Sequence, residues 1–165
     1  MSKLKNDPSQ AEAVPLCYSS EEARTVLDSL SAHIAILDEN GIILDTNRAW
    51  RTFAVKSGMP EGYTSIGDDY LEICDATKGE EGANARTVAA GIRSVIENRV
   101  DEFLFDYPCH SPDGPHWYYM RAIKMSGEGP VRVVVSHEEI TDIKLTEEAL
   151  RKSEAQLTQQ KVELE

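Results

Sequence analysis

Cys109, His110 and His116 place a thiol and two imidazoles close together in the chain, a set that suits soft-metal ligation or a thiolate–imidazole pair. Neighbouring residues on a strand point to opposite faces, so Cys109 and His110 do not converge on one metal. The Ser111-Pro112-Asp113-Gly114-Pro115 run that follows reads as a solvated hairpin tip. Cys74, one helical turn after Tyr70, is a second thiol that could meet or react with a ligand. The plainer reading of Cys74 is a small buried side chain, the usual place of a free cysteine. No serine lies in a Gly-x-Ser-x-Gly elbow, and no phosphate loop, His-Glu-x-x-His helix, kinase block or cyclase block is present. The acid pairs Asp68-Asp69 and Glu80-Glu81 suit helix N-termini, where they oppose the dipole, and need no catalytic role. A catalytic reading, with Cys74 or Cys109 as nucleophile, has no partner fixed by spacing, and neither a catalytic residue nor a metal site is expected.

Aromatic side chains give a broader signal. Phe103, Phe105 and Tyr107 share one face of a strand by period 2, and Trp117, Tyr119, Arg121 and Ile123 share a face of the next. One of these faces is expected to wall a cavity for an apolar or aromatic ligand, with tyrosine hydroxyls orienting it. Trp50, within Arg48-Ala49-Trp50-Arg51, is expected to turn inward from a solvated helix face.

The elements that must position these residues follow from periodicity. Ser19 and the acids Glu21 and Glu22 start a helix whose apolar residues Ala23, Val26, Leu27 and Leu30 fall at helical spacing. Two aliphatic runs at 32–38 and 42–46, separated by Asp38-Glu39-Asn40-Gly41, form a hairpin. Asp45-Thr46-Asn47 caps a helix from Arg48 to about Ser57, on which Ala49, Trp50, Phe53 and Ala54 line one face. Asp68-Asp69 opens a short helix with Tyr70, Leu71, Ile73 and Cys74. A longer helix over 80–98 carries Ala85, Val88, Ala89, Ile92, Val95 and Ile96, and Gly91 inside it marks a close approach. Three strands follow, with turns at 111–115 and 126–130. From Thr141 a helix runs to the end, with Ile143, Leu150, Leu157 and Leu164 at a spacing of seven and polar companions between them. The final Leu164-Glu165 is compatible with a foreign tail.

The fold class is therefore α+β, an antiparallel sheet of five strands with helices on one face, plus a protruding C-terminal helix. Residues 1–18 read as a flexible leader, 19–140 as the compact domain and 141–165 as a coiled-coil-like helix. The chain has 165 residues and a net charge of −12. That charge argues against nucleic acid and anionic membranes as partners. No apolar run is long enough to span a bilayer, and the first residues hold no secretory signal. Three cysteines without a CxxC point to a reducing cytoplasm. Residues 61–81 hold seven acids and one lysine, so the cover of the expected pocket repels polyanions and suits a neutral, aromatic or cationic ligand.

In this order the motifs resemble the PAS domains of bacterial sensor proteins. The resemblance rests on Ala35 to Ile43 with Asn47-Arg48-Ala49-Trp50, on Gly67-Asp68-Asp69-Tyr70-Leu71, and on Glu139-Ile140-Thr141-Asp142-Ile143. The last looks like the Asp-Ile-Thr element that starts the exit helix, with Glu139 in place of Asp. The resemblance implies a sheet that cups a small cavity under its helices. It also implies a sensory module, working as a homodimer upstream of a histidine kinase or diguanylate cyclase output domain of the same polypeptide. The pocket candidates are then Trp50, Tyr70, Cys74, Val88, Ile92, Phe105, Tyr107, Trp117 and Tyr119, and the coupling candidates are Glu139, Ile140, Thr141 and Asp142. Relatives that form a flavin adduct carry Asn-Cys-Arg-Phe where this chain has Asp-Asp-Tyr-Leu, and those that hold haem use a His on the long helix, where residues 80–98 have none. His33 reads as a surface or edge residue. Flavin and haem thus lack motif support, and the ligand stays unassigned. A ligand-free dimerisation module is the alternative.

Overall fold

The structure, a computed structural model, describes residues 19–163. The leader reading of 1–18 and the placement of Leu164 fall outside these residues. The elements are α1 (Ser20–Ser29), β1 (His33–Leu37), β2 (Ile43–Thr46), α2 (Arg48–Lys56), α3 (Tyr70–Ala76), α4 (Glu80–Ile96), β3 (Glu102–Ser111), β4 (Gly114–Lys124), β5 (Val133–Glu139) and α5 (Thr141–Glu163). The five strands form one antiparallel sheet in the order β2-β1-β5-β4-β3.

Local chemistry sets most boundaries. Ser19 closes a capping box with Glu22 at the start of α1. The β1–β2 turn is held by Asp38, whose Oδ1 accepts from the Asn40 and Ile42 amides at 2.8 and 2.9 Å. Gly41 sits at φ +86°, and a Cβ there would lie 2.5 Å from the Leu71 side chain, so only glycine lets α3 approach the turn. Asn47 caps α2 and is fully buried. Its Oδ1 accepts from the Ile34 and Trp50 amides, and its Nδ2 donates to carbonyls at Leu27 and Ala32, tying α1, β1 and α2 together. Gly91 marks a close approach by a side chain: a Cβ there would fall 2.3 Å from the Phe103 ring.

Helices α2, α3 and α4 cover one face of the sheet. Between them lie Ala35, Leu37 and Ile43 from β1 and β2, Met120 and Ala122 from β4, Val133 and Val135 from β5, and Val88, Ala89, Ile92 and Val95 from α4. The β3–β4 hairpin is longer than the turn residues imply: Ser111 pairs with Gly114, so Cys109 and His110 are strand residues, and the tip is Pro112-Asp113. The solvated tip is therefore shorter than the run 111–115, and Cys109 is half-buried on β3. His33 is likewise no edge residue. Strand β1 lies inside the sheet, and His33 pairs with His137 of β5 and stacks on Phe53 at 4.5 Å.

Candidate functional site

A cavity of about 360 Å³ opens between the sheet and the helices. Trp50 and Phe53 enter it from α2, Tyr70 and Cys74 from α3, Val88 from α4, and Tyr107, Tyr118 and His137 from the sheet. Tyr70 is aimed by an unusual tether: the stretch before α3 bonds to the free edge of β2. The Ile43 amide donates to the Asp68 carbonyl at 2.9 Å, the Gly67 amide to Ile43, and the Tyr70 amide to Gly41 at 3.0 Å. Trp50 is fixed by its Nε1, which donates to Ser65 Oγ at 3.1 Å.

His137 is the polar centre of the cavity. Its Nε2 lies 2.9 Å from the Tyr70 hydroxyl and its Nδ1 2.9 Å from the Tyr107 hydroxyl. Burial takes the imidazole pKa down to about 4, so it is neutral at physiological pH. Burial also raises the pKa of both Tyr70 and Tyr107, which stay protonated. The Cys74 thiol touches Tyr70 and is pushed up to about 11 by burial, so it is a poor nucleophile. Cys109 lies 3.7 Å from Glu81 at the cavity's rim, and burial and that carboxylate both raise its pKa. His33, also lining the cavity, is held towards the neutral form by burial.

A second polar cluster stands where the sheet hands over to α5. His116 Nδ1 lies 2.5 Å from Glu139 Oε1, and its Nε2 3.2 Å from Asp113. The Thr141 hydroxyl donates to Glu139 at 2.9 Å and accepts from the Trp117 amide at 3.1 Å. The Ile140 amide donates to the Trp117 carbonyl, and Lys144 pairs with Asp106 at 2.7 Å. Thr141 is the first residue of α5, and its hydroxyl ties that residue back to β4.

No protein-family model matches the chain. It is 38% identical over 120 residues to an uncharacterized 104.1 kDa protein in the hypE 3′ region of Rhodobacter capsulatus, a match that spans 72% of this chain and 12% of that protein. Among solved structures, it resembles the PAS domain of a Colwellia psychrerythraea protein with a TM-score of 0.52 and 18% identity, over 74% of this chain and 97% of that one. The chain has the PAS fold. It is similar, too, to the Vibrio cholerae VqmA dimer, with a TM-score of 0.56 and 16% identity over 76% of this chain and 53% of that one. VqmA bound to DPO matches at 0.54 and 16% identity, over 78% of this chain and 61% of that one.

Within this PAS fold, Trp50, Tyr70, Cys74, Val88 and Tyr107 meet around the one cavity. Four other candidates lie elsewhere. Ile92 is fully buried in the core, and Phe105 packs between the rings of Phe103 and Tyr107. Trp117 and Tyr119 are corrected to the opposite face of β4. Tyr118, Met120 and Ala122 fill the inner face, so their neighbours turn outward: Tyr119 is 36% exposed, and Trp117 lines a surface groove together with Lys144, Glu147 and Arg151 of α5. Period 2 groups residues by face but does not say which face the helices cover. The same alternation could have found His137, since Val133, Val135 and His137 share the buried face of β5.

Six of the seven acids of 61–81 lie outside the cavity lining. Asp69 caps α3, Asp68 accepts from the Tyr63 hydroxyl, and Asp75 pairs with Arg93; only Glu81 lines the cavity. Along α5, Ile143, Leu150 and Leu157 are 58%, 60% and 57% exposed. Among the described residues, no helix is long and apolar enough to cross a membrane.

Proposed function

We propose that this chain is a cytoplasmic sensory module that binds a small molecule between sheet and helices. It relays the event through α5 to an output domain of the same polypeptide, a histidine kinase or diguanylate cyclase. The observation that carries this reading is the position of His137. It touches the cavity, and β5 runs only two residues further to Glu139, whose carboxylate holds Thr141 at the root of α5. A ligand that shifts His137 therefore shifts the strand that ends in the clasp, and its differential affinity for two arrangements of α5 sets the signal. VqmA, which shares the fold, has been seen bound to DPO and as a dimer, which supports a ligand-holding, paired module here.

The purified protein should carry its ligand or take one up. An absorption spectrum followed by mass spectrometry of the denatured extract is the test. A co-purified molecule in stoichiometric amount supports the reading and names its class, with colour pointing to flavin or haem. An empty extract, with no stabilisation by any aromatic or heterocyclic compound, counts against it.

A second reading is a dimerisation module that uses no ligand. It is favoured by the apolar stripe of Ile143, Leu150 and Leu157 and by the exposed Val26 and Leu30 of α1. A protein that is dimeric and ligand-indifferent supports that reading instead.

A further inference from the structure

The hydrogen-bond count at His137 deepens the sensory reading and rests on it. A neutral imidazole has one N–H donor and one bare nitrogen. Two hydroxyls flank the ring, each at 2.9 Å. If Nε2 carries the proton, it donates to Tyr70, and Tyr107 donates to Nδ1. If Nδ1 carries it, the roles exchange. In either tautomer one tyrosine accepts from the imidazole and keeps its own hydroxyl hydrogen, so the trio always offers one donor. Cys74 sulfur, beside Tyr70, can take the Tyr70 hydrogen, and thiol sulfur is a weak acceptor. An oxygen or ring nitrogen brought by a ligand is a better partner.

The rest of the cavity decides what else that ligand is. Its walls are rich in aromatic side chains: Trp50 and Phe53 on the helix side, Tyr107 and Tyr118 on the sheet side, with Tyr107 and Tyr118 stacked at 6.1 Å. Such walls favour a flat apolar body. Among the described residues, no lysine or arginine lines the cavity, both lining histidines are held towards the neutral form, and the one lining carboxylate is Glu81. A carboxylate or phosphate would lose its hydration without gaining a counter-charge.

We propose that the cavity selects an uncharged, flat aromatic ligand that carries a hydrogen-bond acceptor, and that the spare hydroxyl hydrogen of the Tyr70–His137–Tyr107 trio reads that acceptor. The acceptor is what ties the ligand to β5, because the hydroxyl that reads it is itself bonded to His137.

Three probes of matched shape separate the parts of this proposal: quinoline, neutral with a ring nitrogen; naphthalene, without the acceptor; and 2-naphthoate, with a negative charge. Isothermal titration at pH 7.5 should show quinoline binding roughly three- to tenfold tighter than naphthalene, the size of one net neutral hydrogen bond, and 2-naphthoate weaker than both. In the Tyr70→Phe/Tyr107→Phe double variant, naphthalene should bind as before and the preference for quinoline should vanish or reverse. Should that variant not fold, the wild-type protein still answers: the 15N resonance of bound labelled quinoline must stay near its hydrogen-bonded value in water, because burial without a donor would move it downfield to the value seen in an aprotic solvent. Equal binding of quinoline and naphthalene, or a 15N resonance moved downfield to its aprotic value, overturns the donor and leaves the sensory pocket standing. Binding of 2-naphthoate as tight as quinoline overturns the selection against charge. Failure of all three to bind, together with an empty extract, overturns both this proposal and the sensory reading.

Discussion

His137 and His116 lie on neighbouring strands, each with both ring nitrogens engaged, yet their surroundings push the two imidazoles in opposite directions. His137 stands between two neutral hydroxyls under an aromatic roof, and burial takes its pKa down to about 4. His116 stands between two carboxylates at the protein's rim, and Glu139 first, then Asp113, raise its pKa. The partners decide: hydroxyls satisfy a neutral imidazole, carboxylates satisfy an imidazolium. Hydroxyls thus hold the polar centre of the cavity, while carboxylates surround the histidine at the root of α5.

The largest test of this contrast is His137→Ala, which removes a buried ring and two hydrogen bonds. Urea unfolding should show a loss of roughly 3–5 kcal/mol, and His116→Ala should cost clearly less because its site is partly open to water. Equal losses would erase the distinction between the two sites.

The next test is pH. His137 has a folded pKa below its unfolded value, so the unfolded chain takes up its proton first as pH falls. Stability should therefore drop by about 1.4 kcal/mol per pH unit between about 6.5 and 4. Carboxylates with lowered pKa values, such as Glu139 and Asp75, add their losses only below the ordinary carboxylate range. A His137→Gln variant should lose most of this slope between pH 6.5 and 5, keeping only the part due to His33, whose pKa burial also lowers. A wild-type profile no steeper than the variant's there would mean His137 is not held neutral.

Thr141→Ala comes third. It removes one bond to the Trp117 amide and one to Glu139, worth about 1 kcal/mol. Amide exchange at Trp117 should quicken, and output from a full-length protein should lose its dependence on stimulus. Unchanged output would remove Thr141 from the relay.

The mildest is Glu139→Gln. The His116 pair stabilises the fold below the ordinary imidazole pKa and fades as pH rises through the raised folded value. Neutralising Glu139 should bring the His116 titration, followed by NMR, back towards its ordinary midpoint while His137 stays put. A coupled movement of His137 would show that the two sites share one electrostatic field.

Much of this architecture was legible in the chain because its signals are local. Ser19 with Glu22, Asp38 with Gly41, and Asn47 before Trp50 act within a few residues, where backbone geometry and hydrogen bonding leave little choice. Spacing could not reveal the Tyr70–His137–Tyr107 trio, whose members come from α3, β5 and β3 and lie up to 67 residues apart. The inward face of β4 was equally hidden. Trp117 and Tyr119 look more like a pocket wall by composition than Tyr118, Met120 and Ala122, but the register with β5 sets Met120 opposite His137 and turns the two larger rings outward.

The sequence by itself determined the elements, their order and the start of the exit helix, because caps, turns and apolar periods are written in contiguous residues. Only the tertiary structure decided which strand face became the cavity, that His137 rather than a cysteine is its polar centre, and that this histidine is neutral while His116 leans towards charge. Those properties come from burial and from partners distant in the chain, and neither exists until the sheet has closed under its helices.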